Sequence, residues 1–187
     1  FASAPASLKP WLKAIRPHQW LKNLLVFLPL LPIATSASPA MLGMALLAFA
    51  AFSLCASSVY LLNDLADLEA DRAHPRKRKR PFASGSLPAL SGLLLAPLLL
   101  ASAFALTLWM PWQFAAVLGI YWVSTTAYTF LLKRYALIDV ITLAGLYTLR
   151  VLGGAAAIGV MPSFWILAVS MFIFLQTPLW CAERGLP

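Results

Sequence analysis

The stretch NDLADLEADRAHPRKRKRP, residues 63–81, concentrates the groups in this chain that could do chemistry. It holds four of the six acidic residues, Asp64, Asp67, Glu69 and Asp71, and six of the fourteen basic ones, Arg72, Arg76, Lys77, Arg78, Lys79 and Arg80. On a continuous helix turning about 100° per residue, Asp64, Asp67 and Asp71 fall within about 60° of one another, and Asn63 widens the arc to about 100°. Glu69 points to the opposite face. Carboxylates at this spacing repel one another. They also stand near the C-terminal end of a helix that His74-Pro75 must break, the wrong end of the dipole for anions. A hard divalent cation offsets both effects. Mg²⁺ typically takes one or two carboxylates and completes its shell with substrate phosphates, and the flanking bases suit the outer phosphate oxygens. The competing reading is a wet loop in which acids and bases pair for little energy, its basic run anchoring a helix end on anionic lipid.

The elements that must position this stretch are apolar. The chain of 187 residues is 61% hydrophobic and 11% charged, with a mean hydropathy of +0.83, where a soluble domain carries about 25% charge. The sequence predicts an all-α membrane protein, a multi-helix transmembrane bundle with spans at 20–36, 39–62, 89–110, 111–132, 140–159 and 162–180. Pro29 and Pro32 kink the first span, and Pro111 and Pro162 stand where helices can start. The net charge of +8 does not call for nucleic acid, because a helical membrane protein needs basic loops in any case. Those bases fall on alternate links: Lys9, Lys13 and Arg16 before the first span, the 72–80 run, Lys133 and Arg134, then Arg184. This positive-inside pattern puts the N-terminus and the acid cluster on the cytosolic side. Cys55 and Cys181 make neither a metal pattern nor a disulfide framework.

Arg150 lies about ten residues into the fifth span, roughly 15 Å from its cytosolic end. That is too deep for easy snorkelling, so the side chain should face the bundle interior. Two readings stay open: a structural pair or carbonyl contacts, or a phosphate contact inside a cavity. Lys22 enters the first span early enough to snorkel. His74 reads as a turn residue rather than a base.

The motif NDLADLEAD resembles NDxxDxxxD, the first aspartate-rich motif of the UbiA superfamily of intramembrane prenyltransferases. RPFASG, residues 80–85, is similar to that family's RPxxxG, and YTFLLKR, residues 128–134, to its YSxxLKR. RPHQWLKN at 16–23, HPRKRKRP at 74–81 and LRVLGG at 149–154 resemble one branch of it, which transfers phosphoribosyl groups to polyprenyl phosphate or is fused behind a soluble phosphatase-like domain. The resemblance implies about nine helices around a central cavity, six of them in this single partial domain over 1–187. Two polar motifs would face each other across that cavity with Mg²⁺ and a pyrophosphate between them. It implies Asn63, Asp64, Asp67 and Asp71 as metal ligands. Lys22, Arg72, Lys77, Arg78 and Arg80 would contact phosphates, with Tyr128 and Lys133 facing the donor. The partners would be a polyprenyl lipid and a pyrophosphate-bearing donor, in a bacterial inner membrane with the site toward the cytoplasm, and an upstream soluble domain would fit the start at Phe1. The second motif should begin near the end of the sixth span. Instead the chain reads QTPLWCAERGLP, where only AER is similar, so a truncated frame, shifted near Gln176, is expected. Three functions compete: phosphoribosyl transfer, prenyl transfer from a diphosphate to an aromatic or other acceptor, and a non-catalytic anchor or lipid-binding or transport module.

Overall fold

The computed structural model describes residues 8–132, 136–161 and 167–168. These are helical almost throughout, and no strand occurs among them. α1 (Leu8–Ile15) leads into a 3-10 segment, Pro17–Ile33. α2 (Pro39–Ala66) and the short α3 (Leu68–Ala73) carry the acid cluster. A turn at Lys77–Lys79 precedes α4 (Ala89–Thr107). α5 (Trp112–Ala127) widens into a π turn at Tyr128–Leu132, and α6 (Ala136–Ile158) follows.

Local chemistry sets these boundaries. Ser38 caps α2, its hydroxyl accepting from the Met41 N–H at 3.3 Å, with Pro39 at the first helical position. Pro111 stands immediately before α5, as its place in the sequence suggests. Among the described residues, three stretches are long and apolar enough to cross a membrane: Pro39–Ala66, Ala89–Trp109 and Ile141–Ile158. The expected span at 162–180 lies almost wholly outside the described residues.

The expected span at 20–36 is not an α-helix. Pro29 and Pro32 remove two N–H donors, and the segment instead winds as 3-10. At about 2.0 Å per residue it extends roughly 34 Å, enough for a hydrocarbon core of ~30 Å. Three residues per turn puts every third side chain on one line. Its buried residues are Asn23, Val26 and Pro29, and Trp20, one step earlier, donates to Ser57 Oγ at 3.0 Å. This straight ridge packs between α2 and α6.

α2 is the central element, packed on the 3-10 segment, α4, α5 and α6. Phe52 stands edge-on to Phe114 and Tyr121, with ring centroids 5.8 and 5.0 Å away. Glycines on α6 permit the closest approach. A Cβ on Gly153 would strike the Phe52 ring, and one on Gly154 would overlap the Val26 carbonyl. The LRVLGG motif is therefore a packing surface that brings α6 against the 3-10 segment, one turn beyond Arg150.

Candidate active site

α2 does not run unbroken to Ala73. It ends at Ala66, and Asp67 forms the junction with φ −90° and ψ 11° before α3 begins. The hydrogen bonds nearly bridge the break, with Asp67 N–H donating to Asn63 O at 2.9 Å and Asp71 N–H to Asp67 O at 2.8 Å. Asp64 and Asp71, seven residues apart, therefore still share a face, as two helical turns require to within about 20°. Both are buried, at 2% and 1% exposure.

Two arginines from elsewhere in the chain answer these carboxylates. Arg80 Nη1 donates to Asp64 Oδ1 at 3.1 Å and to Asp71 Oδ2 at 2.6 Å. Arg16 Nη2 donates to Asp64 Oδ1 at 2.7 Å. Burial of a charge is costly unless it is paired and hydrogen-bonded, and these contacts meet that condition. Arg80 reaches back because the loop is pinned on both sides. His74 Nδ1 accepts from the Arg76 and Lys77 N–H groups at 3.2 and 3.4 Å, which makes it the expected turn residue. Phe82 is buried beneath α4, where Gly92 leaves room for its ring.

Arg16 is held in the left-handed region, φ 55° and ψ 59°, at a cost of about 1–3 kcal/mol for a non-glycine residue. That geometry turns the chain between α1 and the 3-10 segment and aims the guanidinium at Asp64. The same group lies 5.1 Å from the Tyr60 ring centroid.

A cavity of about 170 Å³ opens beside this cluster, between α2, the 3-10 segment, α5 and α6. Four residues singled out in the sequence line it together: Lys22, Asn63, Tyr128 and Arg150. Arg16 lines it as well, joining the cavity to Asp64. Arg150 is 7% exposed. Its Nε donates to Asn23 Oδ1 at 2.8 Å, Nη1 to Leu146 O at 2.9 Å and Nη2 to Tyr121 Oη at 2.9 Å. Carbonyl and side-chain contacts of the structural kind are thus present, on a residue that also faces the cavity.

Other expected site residues lie apart. Arg72, in the last turn of α3, and Lys77 and Arg78 on the loop are exposed, outside the described ion pairs of Asp64 and Asp71. Asp67 is half-buried at the helix junction. Lys133 lies outside the described residues. Sequence reasoning did not select Arg16, Asn23, Tyr60 or Tyr121. The first two belong to RPHQWLKN, the stretch that could have pointed to them.

The donor chemistry bears on Mg²⁺. Among the described residues no group of three or more His, Cys, Asp or Glu is placed to hold a metal ion. Asp64 and Asp71 still fit a hard cation. Their oxygens converge on a single positively charged nitrogen, Arg80 Nη1, and anionic oxygen is the donor type such ions prefer.

The sequence model of the UbiA prenyltransferase family matches residues 23–184. The chain is 38% identical over 165 residues to a Mycolicibacterium smegmatis protein named decaprenyl-phosphate phosphoribosyltransferase, covering 86% of this chain and 52% of that one. It is 40% identical over 172 residues to the uncharacterized protein y4nM of Sinorhizobium fredii, covering 92% of this chain and 33% of that protein. The structure of a UbiA homolog from Archaeoglobus fulgidus bound to DMAPP and Mg²⁺ shares the fold, with a TM-score of 0.72 at 21% identity over 89% of this chain and 60% of that one. The chain thus spans between a third and about half of these two relatives, and 60% of the solved structure. On the family match and the shared helical fold, this chain belongs to the UbiA prenyltransferase family.

Proposed function

We propose that this chain forms the first-motif side of an intramembrane transferase site, which moves a group from a pyrophosphate-bearing donor to a polyprenyl substrate. The observation that carries the proposal is the cavity where Arg16, Lys22 and Arg150 converge beside two buried carboxylates. The finer reading is phosphoribosyl transfer to a polyprenyl phosphate, in a bacterial inner membrane with the site at the cytosolic face. The similarity to the Mycolicibacterium smegmatis phosphoribosyltransferase supports it.

In that reaction the donor's carbon–oxygen bond to pyrophosphate breaks, and the electron pair leaves with the pyrophosphate. A lipid phosphate oxygen forms the new bond to the same carbon. No side-chain nucleophile is required, because positioning and charge stabilisation supply the rate. Asp64 and Asp71, whose oxygens converge, would hold Mg²⁺, with Asn63 and Asp67 as the further ligands that the family resemblance implies, and the bound ion would neutralise charge on the leaving pyrophosphate. Arg16 and Arg80 stand at those carboxylates, where they can pair with outer phosphate oxygens. Lys22, at the cavity mouth, draws anions in, and Tyr128 offers a hydroxyl from the π turn. Arg72, at the end of α3, and Lys77 and Arg78 on the loop give a basic surface for the entering donor.

The test uses the full-length protein in nanodiscs with Mg²⁺ and polyprenyl phosphate, offered phosphoribosyl pyrophosphate or a prenyl diphosphate in turn. Pyrophosphate release with phosphoribosyl pyrophosphate, matched by labelled lipid, is the expected result. In Asp67→Asn that release should fall by about 100-fold or more, and undiminished release would reject Asp67 as a ligand. Turnover with the prenyl diphosphate alone would replace phosphoribosyl with prenyl transfer. Release with neither donor would leave an anchor or lipid-binding module.

A further inference from the structure

We infer that Arg150 forms an anion subsite within the cavity, and that Asn23 is the positioning residue that keeps its charge available. The inference rests on the reading that the cavity takes phosphorylated substrates, and it adds which group is held where and by what device. A guanidinium buried to this depth normally has a carboxylate partner, because an unanswered charge away from water is costly. The described ion pairs are Arg16–Asp64, Arg80–Asp64 and Arg80–Asp71, and Arg150 is in none of them. Its hydrogen-bond partners are an amide oxygen, a backbone carbonyl and a phenol. The rings of Tyr121 and Tyr147 lie 4.9 and 5.4 Å from its guanidinium carbon. All of these fix the group in place, and none cancels its charge.

Asn23 is the informative partner. It is 1% exposed, and its Nδ2 donates to Ser53 Oγ at 3.0 Å, which turns its carbonyl oxygen toward Arg150 Nε. An aspartate would fit the same space, accept from the Ser53 hydroxyl and pair with Arg150 more strongly. The neutral amide holds the arginine at the same position and leaves the positive charge intact. Arg16, on the same cavity, is the contrast: Asp64 answers its charge.

Three of the five guanidinium N–H donors are used in these bonds, and among the described residues the other two are open to a ligand. At about 30 Å³ per water, a cavity of about 170 Å³ has room for a phosphate group. Val59, Leu143 and Leu146 give it an apolar wall as well. A phosphate monoester attached to a hydrocarbon matches both features. The shared chemistry is a phosphate group, from either the lipid acceptor or the water-soluble donor, and the apolar wall favours the lipid.

Calorimetry on the full-length protein in nanodiscs tests this, with farnesyl phosphate and Mg²⁺-pyrophosphate as separate probes. In Asn23→Asp the melting temperature should hold or rise, while farnesyl phosphate affinity falls by about tenfold or more. If Asn23 served only to hold Arg150, the aspartate would do so equally well, and unchanged affinity for both probes would overturn the inference. A drop for farnesyl phosphate alone assigns the subsite to the lipid. A drop for pyrophosphate, alone or with it, assigns it to the donor. Should Asn23→Asp not fold, Arg150→Gln decides, because it removes the charge and keeps an amide facing Asn23. Retained affinity for both probes in that variant would overturn the subsite. A wild-type protein that binds neither probe overturns the functional reading and this inference together.

Discussion

Gly154→Val will leave the full-length protein without a properly assembled site. The obstacle to a side chain here is the Val26 backbone carbonyl, which cannot rotate aside as a rotamer can. To accept the new methyl groups, α6 must move away from the 3-10 segment. That movement separates Arg150, one turn before Gly154 on α6, from Asn23, three residues before Val26. Overpacking typically costs about 1–3 kcal/mol and more against fixed backbone, from a total stability of about 5–15 kcal/mol. The measurement is the thermal midpoint of monodisperse protein by size exclusion. Gly119→Ala is the control, since nothing lies within 4 Å of a Cβ there. Its midpoint should hold or rise slightly, because alanine is the better helix former by up to about 1 kcal/mol. A normal midpoint for Gly154→Val would mean that α6 and the 3-10 segment do not approach as described.

Asp64→Ala should have the second-largest effect, on both folding and turnover. Asp64 accepts from Arg16 and Arg80 together. Its removal leaves Arg80 with Asp71 alone and takes away the carboxylate that Arg16 is aimed at, with Arg16 still held at φ 55°. Loss of one partner from a fully buried pair costs about 3–5 kcal/mol. The arginine side chains here are 20% and 24% exposed, so solvent screening brings the expected loss to about 1–3 kcal/mol. Pyrophosphate release should fall by about 100-fold or more, as for loss of a group that stabilises transition-state charge. Asp64→Asn should recover part of the stability, because the amide oxygen still accepts from an arginine, and little of the activity. Equal activity of wild type and Asp64→Asn would remove Asp64 from the chemistry.

The sequence made some of this architecture legible, and the divide follows the range of the interactions. Asp64 and Asp71 are seven residues apart, and the junction at Asp67 keeps the helical hydrogen bonds, so local periodicity alone puts them on a common face. Arg150 interrupts an uncharged run, and the cost of a charge in hydrocarbon sends it inward. Arg16 gave no such signal. It reads like Lys9 and Lys13, one more base before the first span, and only a partner 48 residues away separates it from them. Asn23 meets Arg150 across 127 residues, a pairing that periodicity cannot reveal. The break at Asp67 was also hidden, because NDLADLEAD carries no proline or glycine to announce it. Pro29 and Pro32 did signal irregularity in the first span, but not that its seventeen residues would wind as 3-10.

That winding bears on which changes of length the chain can survive. Trp20, Asn23 and Val26 work as teeth on a straight rack, each meshing with a fixed station on α2 or α6, and Pro29 continues the buried line. One residue inserted between Asn23 and Val26 would rotate everything beyond it by about 120° and misalign every later tooth. Three residues inserted at the same place would restore the angle and shift the mesh by a single notch of about 6 Å. Lineages that lengthen or shorten this segment should therefore do so in steps of three.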